Sequence, residues 1–551
     1  MRKHRYREAF DQGGIGMKEA TQMIVTAQPE ASESGARVLM RGGNAVDAAM
    51  TAALVAGVVD PQMCGIAGFG SCQIYDPDSG RHEVIDFHGK TPLAATPDMW
   101  EDRLAGETRD GFGFVLEDNA NDLGYGAVTT PGSLMAYFEA AHDYGTWDWA
   151  DIVAPAVRQA ERGFLVRPHV HHWWTHGADM GRVRVEQRLG FSRTGRDIYF
   201  RADGRVKMIG ERLENPDLAR TLSLIAREGA DVFYKGEIAD RIDADFAANG
   251  GLMRKADLEA YQTTRTEPLR GSYRGFDLAT NHPPGGGLML IEMLNILEHF
   301  DLAAMGHNST DYIRIVSEAM KAATADKDAY IGDPVFVEIP ERLMDKTYAA
   351  QIAERIKGGE KMHVPRLGTP EPKDTTHVCV VDKNGMCVTM THSLGMPSGV
   401  ITDGLGFMFN GCMAVFDPRP GRAGSIAPGK SRFSSLCPTI AFQSGAPKVL
   451  LGAPGGTQIA MGVLQALLNV LDFDMSMVEA VSCPRFSATS DAIDIMNRIP
   501  GYVVEPLEKD GYQVIRSAMS FGIAAVHGIR IDDGRLTGWA DPGHDGVALG
   551  V

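Results

Sequence analysis

The strongest constraint on the fold is a change of character at residue 375. The stretch 357–373 is rich in Lys, Gly and Pro. It runs into Asp374-Thr375-Thr376-His377-Val378-Cys379-Val380-Val381-Asp382, a hydroxyl-bearing step that leads directly into a β-type run. A second strand pattern follows at Val388-Thr389-Met390-Thr391-His392-Ser393. Before the break the chain reads mainly as helix. A helix over 36–40 stops at Arg41-Gly42-Gly43-Asn44, and an alanine-rich one restarts over 45–58. Residues 131–163 and 216–262 are helix-rich, with further helices from 289 to about 300 and over 311–330. Strands are expected over 71–75, 83–87 and 276–280. After the break, 375–551 reads as strand-rich, with helices near 457–471 and 476–482.

Strands on both sides of the break, with helices outside them, predict an α+β fold: a four-layer α-β-β-α sandwich built jointly by both halves. At 551 residues the chain exceeds the roughly 250–300 residues a single core supports, so two interleaved parts are expected. Those parts are 1–374, comprising a helix-rich body (1–356) and a linker expected to be mobile (357–374), and 375–551.

The residues at the break have chemistry. A threonine at a new chain terminus carries a hydroxyl and an α-amine on one residue. That amine has an ordinary pKa of about 7.7–8.0, so it can serve as general base near neutral pH without a separate histidine. Cutting the Asp374–Thr375 bond would create such a terminus. The acidic balance, −17 with pI near 5.4, argues against a nucleic-acid or anionic-membrane surface. The odd cysteine count, seven with no CxxC pair, reads as reduced thiols. The basic Met1–Arg7 start is followed by no apolar region, and no stretch reaches the ~20 apolar residues of a membrane span, so a cytoplasmic location is expected.

Collinear motifs over nearly the whole chain resemble the γ-glutamyltranspeptidase family of N-terminal-nucleophile hydrolases. In the first part they are Arg41 to Ala49, Thr130-Pro131-Gly132, Tyr144-Gly145-Thr146, Ala160 to Phe164, Tyr273-Arg274-Gly275, Pro283-Pro284 and Gly332-Asp333-Pro334. In the second they are Thr375-Thr376-His377, Ser434-Ser435, Pro438-Thr439, Pro454-Gly455-Gly456, Pro484-Arg485-Phe486 and Asp541-Pro542. The resemblance implies a zymogen that cuts itself between Asp374 and Thr375 into a large and a small subunit held as a heterodimer, with further dimerisation left open. It makes Thr375 the acylated nucleophile, with Thr391 and Ser393 helping to activate it. It makes the N–H groups of Gly455 and Gly456 the oxyanion donors, each worth roughly 2.7–4 kcal/mol of barrier. Ser434 and Ser435 match hydroxyls that grip a substrate carboxylate. No metal or organic cofactor is implied.

Three positions depart from the family pattern. The carboxylate-clamping arginine after an Asp-Phe pair is His88, an asparagine is Gly395, and the acid that holds the α-ammonium is Val415. Asp417 lies two residues beyond Val415, where only a loop shift would let it substitute. The long lid of some members is reduced to Pro418 to Lys430. The resemblance thus implies a γ-glutamyltransferase or glutathione-hydrolase-like enzyme acting on a small-molecule amide, with water or an amine resolving the acyl-enzyme. The altered head-group positions favour an alternative, an acylase for a non-glutamyl group. A third reading is an uncut, non-catalytic binding protein. His169, His171, His172 and His176 suggest a metal site by spacing, but with Trp173-Trp174 among them packing is the stronger expectation. Cys412 reads as a small buried hydrophobe.

Overall fold

The computed structural model describes residues 20–108, 113–175, 182–364 and 375–551. Two sheets lie at its centre. The first has seven strands in the order Val547–Gly550, Met23–Thr26, Thr376–Val381, Cys387–Ser393, Phe69–Asp76, Arg81–Phe87 and Thr264–Thr266. The second has six: Arg535–Ala540, His527–Asp532, Ala446–Gly452, Thr439–Gln443, Phe276–Thr280 and Leu269–Tyr273. Both sheets mix strands from either side of residue 375, so neither half can complete a sheet alone.

Strand alternation sorts the side chains into layers. In Thr376–Val381, Val378 and Val380 join a core under helices, whereas Cys379 and Val381 join the core between the sheets. On the second sheet Ile440 and Phe442 face inward, while Ala441, Val449 and Leu451 face a separate helical core. Helices Pro29–Met40 and Ala45–Val59 cover the first sheet; the wholly buried Gly287–Leu297, Thr310–Tyr330 and Ile459–Leu471 cover the second. The result is the expected four-layer α-β-β-α sandwich. The helix Ala45–Val59 starts at Asn44, whose side chain accepts the Asp47 N–H while the Asp47 carboxylate accepts the Asn44 N–H. All but one of its residues are buried, which explains its near-unbroken Ala/Val composition.

The segment read as a mobile linker begins as packed chain. Beyond the helix Lys346–Lys357, the Met362 N–H donates to Glu318 (2.5 Å) and the Val364 N–H to Asp491 (2.7 Å), with both side chains buried. Mobility is therefore not a property of residues 362–364. The rest of the linker, Asp374 included, lies outside the described residues. All seven cysteines are free thiols. Among the described residues no helix is long and apolar enough to cross a membrane, and no group of His, Cys, Asp and Glu is arranged to hold a metal.

Candidate active site

The register of two adjacent strands assembles the hydroxyls. Thr376 pairs with His392 and His377 with Thr391, so one further step along the ladder sets Thr375 opposite Ser393. The Thr375 and Ser393 hydroxyl oxygens are 3.0 Å apart, and the Gly395 N–H donates to Ser393 Oγ at 2.8 Å. The alternation that sends Val388 and Met390 to the helices turns Thr389, Thr391 and Ser393 toward the second sheet. Thr391 is held by His377, whose Nδ1 lies 2.8 Å from its hydroxyl. Burial, with a smaller contribution from His392, lowers the His377 pKa to about 3, so this imidazole is neutral. Thr375 itself is only 4% exposed.

Gly455 and Gly456 leave the end of the Ala446–Gly452 strand and open the helix Ile459–Leu471 through a single tight turn, Gly456–Gln458. Their φ values, +141° and +56°, are ones L side chains rarely adopt, and a Cβ on Gly455 would sit 2.7 Å from the Ala524 Cα. Three residues earlier Gly452 packs directly on the His377 ring; a Cβ there would meet Cε1 at 2.0 Å. The glycine loop is thus fixed against the same strand that begins at the nucleophile.

The head-group side is built differently. Asp86 accepts from His88 Nδ1 at 2.8–2.9 Å and from the His88 backbone N–H at 3.2 Å. A carboxylate can only accept, so Nδ1 carries the proton and Nε2 of the neutral ring is an acceptor. Ser434 Oγ lies 2.5 Å from that Nε2 and must donate to it. The Ser434 hydrogen is consequently committed, and the hydroxyl faces the site as an acceptor. Ser435 is buried with its backbone against Gly286, where a Cβ would lie 2.6 Å from the Ser435 carbonyl oxygen.

Val415 lines a cavity of about 480 Å³ shared with Asp417, Arg419, Phe433 and Thr457, the last one residue beyond the glycine pair. Asp417 is gripped by both ends of the Arg419 guanidinium at 2.8 Å, approached by Arg422 at 3.6 Å, and accepts the Arg419 N–H at 2.9 Å. Arg419 also reaches Glu107 at 2.8 Å. Asp417 is therefore already neutralised by a bidentate partner, and no loop shift has delivered it to Val415's place.

One residue of the site escapes motif reading. Arg432, 1% exposed, donates from Nε to the Phe433 carbonyl (3.0 Å) and from Nη1 to Cys412 Sγ (3.3 Å), and lies 4.5 Å over the Phe69 ring. The only sequence signal was a cation one residue before the Phe433-Ser434-Ser435 step. Burial raises the Cys412 thiol, with Arg432 opposing, so the sulfur stays protonated. In the histidine group, the Trp173 N–H donates to His169 Nε2 at 2.9 Å and His169 packs on His544 at 4.2 Å; His176 lies outside the described residues.

Comparison with known proteins brings the same picture from outside. A family profile described as gamma-glutamyltranspeptidase matches residues 31–551. An acylase ACY 1 proenzyme of Pseudomonas sp. (strain V22) is 38% identical over 96% of this chain and 93% of its own. A glutathione hydrolase proenzyme of Pseudomonas sp. (strain A14) is 36% identical over 87% of this chain and 83% of its own. Among solved structures, a cephalosporin acylase from Bacillus halodurans superposes with a TM-score of 0.86 at 26% identity, covering 98% of both chains.

Proposed function

The chain belongs to the γ-glutamyltranspeptidase family, and we propose that it is a self-cleaving amide hydrolase whose nucleophile is Thr375 and whose acyl group carries no α-ammonium. Cleavage after Asp374 frees the Thr375 amine. That amine takes the proton of its own hydroxyl as Oγ attacks the substrate carbonyl, and Ser393, 3.0 Å away, orients the attacking oxygen. The oxyanion develops toward the N–H groups of Gly455 and Gly456, whose backbone is fixed before any substrate arrives. The amine product leaves, and water or an acceptor amine attacks the acyl-Thr375 ester. Thr391, held by His377, forms the adjoining wall of hydroxyls. The large fragment supplies His88 and Asp86, and the small one supplies everything else named.

The observation that carries the acyl preference is Val415 beside an Asp417 already locked by Arg419. A bound ammonium would find no free carboxylate there, and desolvating an unpaired charge costs several kcal/mol. The acylase relatives have names that fit this reading, and the glutathione hydrolases are nearly as similar, so overall identity does not decide between them. The pocket chemistry does favour one. N-terminal sequencing of the small fragment, followed by parallel assays on γ-glutamyl and glutaryl 4-nitroanilides, tests both parts. The reading requires a small fragment beginning at Thr375 and a clear preference for glutaryl; an uncut chain, or a γ-glutamyl preference, rejects it.

A further inference from the structure

Arg432 explains two departures from the family pattern at once. Gly395 has φ +73°, and a Cβ built on it would lie 2.9 Å from Arg432 Nη1 and 3.1 Å from Cys412 Sγ. The guanidinium therefore occupies the space that a larger side chain at 395 would need. Its distance from the chemistry is short. Gly395 N–H bonds Ser393 Oγ at 2.8 Å, and Ser393 Oγ lies 3.0 Å from Thr375 Oγ1. On its other face Arg432 stacks on Phe69, whose ring is 5.7 Å from His88, the residue that holds Ser434. So the cation sits between the nucleophile's hydroxyl partner and the rebuilt head-group wall.

We propose that Arg432 is the residue that recognises the acyl group, by pairing with a carboxylate at its far end, and that the substrate class is the monoamide of a dicarboxylic acid. This rests on the amide-hydrolase reading above. Ser434, its hydrogen committed to His88, has none to give a carboxylate; the guanidinium has several and is permanently fork-shaped. The contacts that hold it, a carbonyl, a thiol and an aromatic face, are neutral and fix its plane without neutralising it. Burial lowers its pKa, so an incoming carboxylate regains what desolvation cost the charged form. Arg432 thus supplies from a different strand connection the permanent charge that is absent at His88, and Gly395 is small because the guanidinium needs the room.

The test uses the processed enzyme and two isosteric substrates, glutaryl 4-nitroanilide and its ω-carboxamide analogue. Arg432→Gln is expected to raise KM for the glutaryl substrate about 10- to 100-fold while leaving the carboxamide within about threefold, with Arg432→Lys falling between. Equal losses on both substrates, or a wild-type enzyme indifferent to the carboxylate, would overturn the proposal. Should Arg432→Gln fail to cut itself, competition on the wild type decides: free glutarate is expected to inhibit at least about tenfold better than glutaramide, and equal inhibition rejects the idea. Wild-type protein that releases nitroaniline from neither substrate would sink the amide-hydrolase reading itself. Wild-type protein that hydrolyses both equally would sink only the role of Arg432.

Discussion

The two ends of this site are built by different means. At the nucleophile end, Thr375, Thr391 and Ser393 are consecutive positions on facing strands, so sheet register alone brings them together. At the acyl end, His88 follows one strand, Val415 and Asp417 sit on a loop, and Arg432 lies in a connection between them. A register cannot change by small steps, because slipping by one residue turns every side chain to the other face. A loop residue can be exchanged singly. The contrast explains how the hydrolytic residues remain intact while the ones that choose the acyl group are rebuilt.

That contrast can be broken most sharply at Thr375. Thr375→Ala is expected to leave one 59.6 kDa chain on a denaturing gel and to lower nitroanilide turnover by at least about 10⁴-fold. Ser393→Ala removes the 3.0 Å partner and should reduce kcat about 10- to 100-fold with little change in KM, with Ser393→Thr restoring most of the rate. The acyl end should respond in KM instead. Val415→Asp is expected to raise γ-glutamyl turnover about tenfold relative to glutaryl, because the new carboxylate can meet an ammonium that Asp417 cannot reach. Gains on both substrates alike would erase the distinction between the two ends.

The smallest effect lies in neither end. Burial raises the Asp494 carboxyl to about 8, which makes it neutral at pH 7. Because its folded pKa is raised above the ordinary 3.8, its contribution to stability is complete below about pH 4 and fades as pH rises through about 8. Asp494→Asn should flatten that decline in thermal unfolding curves by a few degrees, with turnover of both anilides unchanged. A slope identical to wild type would remove Asp494 as its source.

Much of this was legible in the sequence because period and punctuation are local. The alanine-rich run after Arg41-Gly42-Gly43-Asn44 can only be a buried helix, and alternation in 376–381 marks a strand with two covered faces. The helix Gly501–Lys509 was missed; it carries Pro506 in its interior, which reads locally as a break. The Arg419 lock on Asp417 and the contact of Arg432 with Gly395 were not legible either. Each depends on how a loop folds back, which no periodicity encodes. The sequence did record what the family pattern lacks at 88, 395 and 415, but not the guanidinium filling the gap.

The central claim is that an N-terminal Thr375 carries the acyl group, and intact mass measurement after rapid acid quench tests it directly. Mixed briefly with glutaryl 4-nitroanilide, the 375–551 fragment is expected to gain the mass of one glutaryl group. That gain should map to Thr375 and be absent from fragment 1–374. An acyl adduct on any other residue, or turnover with the chain still uncut, would contradict the account.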